Sequence, residues 1–92
     1  MKAILTIVRK EGDKSVKEAL LFDTEKSRKL YETENKFGFV VEETYLSPGG
    51  IIFTKRTNPE RLKAVDQERA KEYIGENYPE IYVEIYGKVK EA

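Results

Sequence analysis

Acid-base chemistry in this chain can come only from carboxylates, lysines and tyrosines, because its 92 residues include neither histidine nor cysteine. The commonest general base and the commonest transition-metal ligand are therefore missing. Disulfides, thiolate catalysis and cysteine-based zinc sites are excluded with them. Glu42-Glu43 and the pair Glu80/Glu84 are the carboxylates whose spacing could seat a hard cation such as magnesium or calcium. Scattered surface glutamates in so charged a chain account for them equally well. Nothing places two carboxylates in an apolar pocket that would split their pKa values, which is what paired-carboxylate catalysis needs. Ser47-Pro48-Gly49-Gly50 could offer backbone N–H groups to an anion, but it lacks the spacing and the following lysine of a phosphate loop and reads as a hairpin turn. The residue types thus argue for a protein that is not an enzyme and needs no cofactor or metal.

The features left over are surfaces, and they depend on the elements that carry them. Along Glu80–Lys90 the odd positions Ile81, Val83, Ile85 and Val89 are apolar, while the even positions are charged or tyrosyl. A period of two sorts them into the faces of a half-buried β-strand. Tyr82 and Tyr86 would then share the outer sheet face with Glu84 and Lys88, a contact surface for a protein partner or for a second copy, with a homodimer as the expected form. A terminal strand at a sheet edge adds an unpaired backbone rim to that surface. The alternative is a single-stranded nucleic-acid module, in which the tyrosines stack bases and Lys55, Arg56, Arg61 and Lys63 supply a basic cluster. Glu80 and Glu84 interleave with the tyrosines and would repel phosphate, and the aromatic-glycine signature of an RNA-recognition strand is missing.

Read in order, Ala3–Arg9 carries apolar residues on both faces and predicts a strand in the middle of a sheet. Glu11-Gly12-Asp13-Lys14 predicts a hairpin turn. Ser15–Phe22 has two readings, a strand returning from that hairpin or the start of a long helix opened by a Ser15/Glu18 capping box. The strand is favoured, because a continued helix would turn Asp23, Thr24 and Ser27 toward the core without partners. A helix capped by Asp23 or Thr24 is expected through about Asn35, with Leu30 and Tyr31 inward and Gly38 just past its end. Phe37–Leu46 and Ile51–Arg56 predict a second hairpin around the Pro-Gly-Gly turn, with a bulge or strand end near Glu42-Glu43. Asn58-Pro59-Glu60 then carries the N-terminal signals of a helix, with Leu62, Val65, Tyr73 and Ile74 as its buried stripe and Gly75 as its end.

These elements predict a single α+β domain spanning 1–92: a two-layer sandwich of one mostly antiparallel sheet with two helices on one face, ordered ββαββαβ or, with a long first helix, ferredoxin-like βαββαβ. Lysine plus arginine equals aspartate plus glutamate, 17 each, so no overall field draws the chain to nucleic acid or to an acidic membrane. The apolar run near the N-terminus, Ala3-Ile4-Leu5 and then Ile7-Val8, is too short for a membrane span or a signal-peptide core. A cytoplasmic protein of regulatory or accessory type is the expectation. The excess of glutamate and lysine over a single glutamine and three asparagines is a thermophile-like bias.

Overall fold

Alternating apolar residues build a long hairpin at the start of the chain. In the computed structural model, which describes residues 1–92, strands β1 (Lys2–Glu11) and β2 (Lys14–Asp23) pair antiparallel from Lys2↔Asp23 to Glu11↔Lys14. Gly12 closes the turn at φ 62°, a left-handed conformation open to a residue without Cβ. The strand reading of Ser15–Phe22 is therefore the one the structure adopts. The apolar character of both faces of β1 does not come from a central position, however: β1 and β2 form a two-stranded sheet by themselves.

A single 3-10 turn, Thr24–Lys26, follows, where a helix through Asn35 was expected. The Asp23 carboxylate caps that turn by accepting from the Glu25 amide, and Ser27 Oγ donates to the Asp23 carbonyl. With its cap used up in one turn the chain leaves extended, and Arg28–Glu34 becomes strand β3. Strands β4 (Val40–Leu46), β5 (Ile52–Thr57) and β6 (Glu60–Ala64) complete a four-stranded antiparallel sheet in the order β3-β4-β5-β6. Gly38, expected to follow a helix, lies instead in the β3–β4 turn, where the Asn35 carboxamide accepts from the amides of Phe37 and Phe39. The expected irregularity near Glu42-Glu43 is present at Val41, between the pairs Thr33↔Glu42 and Glu34↔Val40. The Ser47–Gly50 hairpin turn is as predicted, with Gly50 N donating to Ser47 O and Ser47 Oγ accepting from Ile51 N.

Asn58-Pro59 does not open a helix. Its peptide bond is cis and it forms the tight turn between β5 and β6, with Thr57 opposite Glu60. Helix α1 begins eight residues later, at Gln67, and runs to Asn77 with Asp66 as its cap. Helix α2 (Pro79–Tyr86) then replaces the predicted C-terminal strand. Pro79 occupies the first helical turn, and Gly87 at φ 99° ends the helix in a backbone conformation that side chains disfavour. Gly75 lies inside α1 and does not end it; a Cβ there would stand 3.2 Å from the Tyr82 ring, so its bare backbone is what lets α2 pack close. The fold is α+β, but its sheet is split in two.

Register sorts the four-stranded sheet into two faces. Tyr45, Phe53, Leu62 and Ala64 share one face and pack against Ala3, Leu5, Ile7, Leu20 and Phe22 of the hairpin, forming the main core. Phe53 is fully buried and lies between Tyr45, at 5.4 Å between ring centroids, and Phe22, at 4.9 Å. Residues Tyr31, Thr44, Thr54 and Lys63 form one row across the opposite face, which α1 overlies.

Gln67 pins that helix to the sheet. Its side chain accepts from Ile52 N at 2.8 Å and donates to Ile52 O at 2.7 Å, so the amide substitutes for a backbone neighbour beyond the end of β6. Gln67→Ala leaves both groups of Ile52 without those partners and is expected to cost about 1–3 kcal/mol. A urea unfolding series that shows no loss of midpoint would refute this role.

Candidate interaction surface

The hairpin covers the sheet with one face and leaves most of the other in solvent. Its outer face alternates with the core residues and presents Lys2, Ile4, Thr6, Val8 and Lys10 on β1, opposite Asp23, Leu21, Ala19, Lys17 and Ser15 on β2, of which Asp23 is buried where it caps the turn that follows. Ile4 and Leu21, directly paired across the strands, are 72% and 65% exposed, and Val8 is 60% exposed. Solitary exposed aliphatics are ordinary, but a cross-strand pair with a third member on the same face is a contiguous apolar patch. Three lysines, Lys2, Lys10 and Lys17, rim it. β1 runs beside β6. The far edge of β2 has no strand against it, and over its ten residues it carries no proline and no bulge; only the charges of Lys14, Lys17 and Glu18, all in its first half, blunt it. Phe37 and Phe39 form a second apolar exposure at the tip of the β3–β4 turn.

The tyrosine surface expected from the sequence is rearranged. Tyr82 and Tyr86 stand one turn apart on α2, with ring centroids 4.9 Å apart, and they are half-buried, not displayed on a sheet. Lys71 of α1 lies over both rings, 4.9 Å from the Tyr86 centroid and 5.8 Å from that of Tyr82. Burial pushes the Tyr86 phenol above its ordinary range, with the neighbouring Tyr82 adding to it. These tyrosines therefore dock α2 on α1. Glu84 ties α2 to β3 through Arg28 at 2.8 Å, and Lys88 lies past Gly87 in the C-terminal tail, outside any element.

The basic cluster is divided in the same way. Lys55 falls on the core-side face beside Glu43 and Glu60, at 3.8 and 3.6 Å, whereas Arg56, Arg61 and Lys63 lie exposed on the opposite face, Lys63 at the rim of the space beneath α1. None of the four shares a surface with Tyr82 or Tyr86, so the base-stacking platform is not assembled. Glu42 and Glu43 are adjacent strand residues and point to opposite faces, which separates the cation site they were candidates for.

Glu43 has a structural task. It accepts from the Tyr45 hydroxyl at 2.9 Å and faces Lys29 at 3.4 Å as well as Lys55, and Lys29 also pairs with Glu32. Burial alone would raise the Glu43 carboxyl, but the Tyr45 hydroxyl and the two lysines outweigh it and hold the group below the usual carboxylate range. Burial, and donation to Glu43, push the Tyr45 phenol up.

No family model, curated protein or solved structure matches the chain.

A carboxyl with a depressed folded pKa contributes stability above its unfolded value and loses it as pH falls through the folded one. Glu43→Gln is therefore expected to destabilise the protein by about 1–3 kcal/mol at neutral pH. The gap between the two proteins should close on acidification below the ordinary carboxylate range. Urea midpoints that differ equally at pH 7 and in strong acid would disprove the assignment.

Proposed function

We propose that the chain is a small non-enzymatic interaction protein that pairs with a second copy of itself through the open edge of β2 and the apolar outer face of the first hairpin. The observation that carries this reading is the pairing of Ile4 with Leu21 in solvent, on a hairpin whose ten-residue edge strand is bare. An uncovered apolar face and an edge whose second half, Ala19–Phe22, carries no charge, proline or bulge lie on the same hairpin, two features that another chain can cover.

Charge selects the register of such a pairing. An antiparallel β2–β2 contact with its two-fold axis at Leu20 sets Ala19 of each copy opposite Leu21 of the other and places no like charges face to face within the strand. Axes at Lys17 or Glu18 face like charges and are disfavoured. The Leu20 register also keeps both outer faces on one side, so the two Ile4/Leu21 patches join into a single surface. With no charged side chain other than lysines and Asp23 on that face, and no histidine or cysteine anywhere, recognition and not catalysis is what this geometry supports.

Light scattering should give twice the monomer mass at micromolar concentration. Leu21→Lys, at an exposed position where the core is untouched, is expected to yield a folded monomer, and Ala19→Lys, which would face Leu21 of the other copy, should weaken the dimer by about tenfold or more. A wild-type protein that remains monomeric, or a Leu21→Lys protein that remains dimeric, would sink this reading.

A further inference from the structure

The face of the four-stranded sheet under α1 is not fully packed. A cavity of about 610 Å³, open to solvent along the side that Lys63, Arg69 and Tyr73 line, lies between them. Its floor is the row Tyr31, Thr44, Thr54 and Lys63, and its roof is Arg69, Ala70 and Tyr73 of α1. The Thr54 hydroxyl is buried and has no hydrogen-bond partner, although the residue is only 4% exposed. Buried polar groups are nearly always satisfied, so this enclosed hydroxyl beside the cavity is an exception. A change of χ1 rotamer exchanges its methyl for its hydroxyl at the floor.

The charged groups in the cavity are similarly unspent. Neither Lys63 nor Arg69 has a carboxylate within 4 Å. Asp66, their acidic neighbour, uses its carboxylate to cap α1 through the Arg69 amide at 2.9 Å. Glu42 sits one row along the floor, opposite Arg56 in the strand register, with Arg61 opposite Arg56 in turn. The lining itself is balanced, Lys63 and Arg69 against Glu42 and Asp66, with Arg56 and Arg61 outside it; Asp66 is engaged at the helix cap, which leaves Lys63 and Arg69 as the cations of the β6–α1 side. At the β3 end the wall is aromatic: Tyr31 is stacked on Tyr78, with centroids 4.3 Å apart, and Tyr73 lies 5.9 Å from it. Tyr31 and Tyr73 both line the cavity.

We propose that this cavity binds a small ring-bearing organic anion, its carboxylate or phosphate held between Lys63 and Arg69, its polar body on the threonine floor and its ring against Tyr31 and Tyr73. Separated cations and an aromatic wall recognise the two ends of such a molecule, and the floor hydroxyls fix its orientation. Binding here is independent of the hairpin surface, which lies on the other side of the sheet.

Isotope-edited NMR titration separates the parts. Adenosine 5′-monophosphate and 4-hydroxybenzoate serve as ring-bearing phosphate and carboxylate probes, adenosine as the ring alone and inorganic phosphate as the anion alone. At least one ring-bearing anion is expected to give saturable shifts at the amides of Thr44, Thr54, Arg69 and Tyr73, and which of the two binds identifies the anion. The ring alone and the anion alone should bind about tenfold or more weakly. Lys63→Ala, at a solvent-exposed strand position, should keep the amide spectrum of the fold and lower affinity by about tenfold. Thr54→Val should bind more weakly while melting no lower than the natural protein, because it removes an unsatisfied hydroxyl. The proposal is overturned if neither ring-bearing probe shifts the cavity amides at millimolar concentration, or if the shifts persist with equal affinity in both variants.

Discussion

Strand β5 is buried on both faces, and that constraint organises the molecule. Ile52, Phe53 and Thr54 are consecutive in sequence and alternate in direction, yet all three are buried. A strand in that position needs a cover on each side. The hairpin supplies one cover, through Phe22 and Ile7 against Phe53, and α1 supplies the other, held by the Gln67 clamp at the first residue of the strand. The result is three layers, hairpin, sheet and helices, in a chain where two were expected. Each layer is thin, and few residues are fully removed from water. The surface exposed at the outside of the hairpin and the space left under α1 both follow from dividing a small apolar supply among three layers.

The polar residues show the same division. Where the sheet meets the hairpin, Glu43 is enclosed by Tyr45, Lys29 and Lys55 and its charge is satisfied. Where the sheet meets α1, Lys63 on the opposite sheet face and Arg69 on the helix stand without anionic partners within 4 Å, and the Thr54 hydroxyl lacks a hydrogen-bond partner altogether. One face of the sheet is thus chemically closed and the other is open. No helix of the chain is long and apolar enough to cross a membrane, so neither exposed surface is explained by a helical span.

Turns and strands with a single reading were legible in the residues. Gly12 and Pro48-Gly49-Gly50 marked two hairpins in the places they occupy, because turn chemistry acts over four residues and needs no distant partner. The C-terminal run satisfied two periods at once. Ile81, Val83 and Ile85 alternate as in a strand, but Tyr78, Ile81, Tyr82, Ile85 and Tyr86 also recur at three- and four-residue steps, and these are the residues that turn inward. Pro79 at the first helical position and Gly87 beyond the last were the signals that distinguish the two. In Asn58-Pro59-Glu60 the same helix-start signals misled, since a proline serves a tight turn as readily as a helix.

Composition, turn positions, the α+β class and the absence of thiol and imidazole chemistry were settled by the sequence alone, because each depends on residue identity or on neighbours a few positions away. The split into two sheets, the conversion of the tyrosine run into a helix under Lys71, and the meeting of Thr54, Lys63, Arg69 and Tyr31 around one cavity were decided only in three dimensions. The physical reason is that strand pairing and helix docking are chosen by which apolar faces can cover β5 together, a competition between residues tens of positions apart that no local period records.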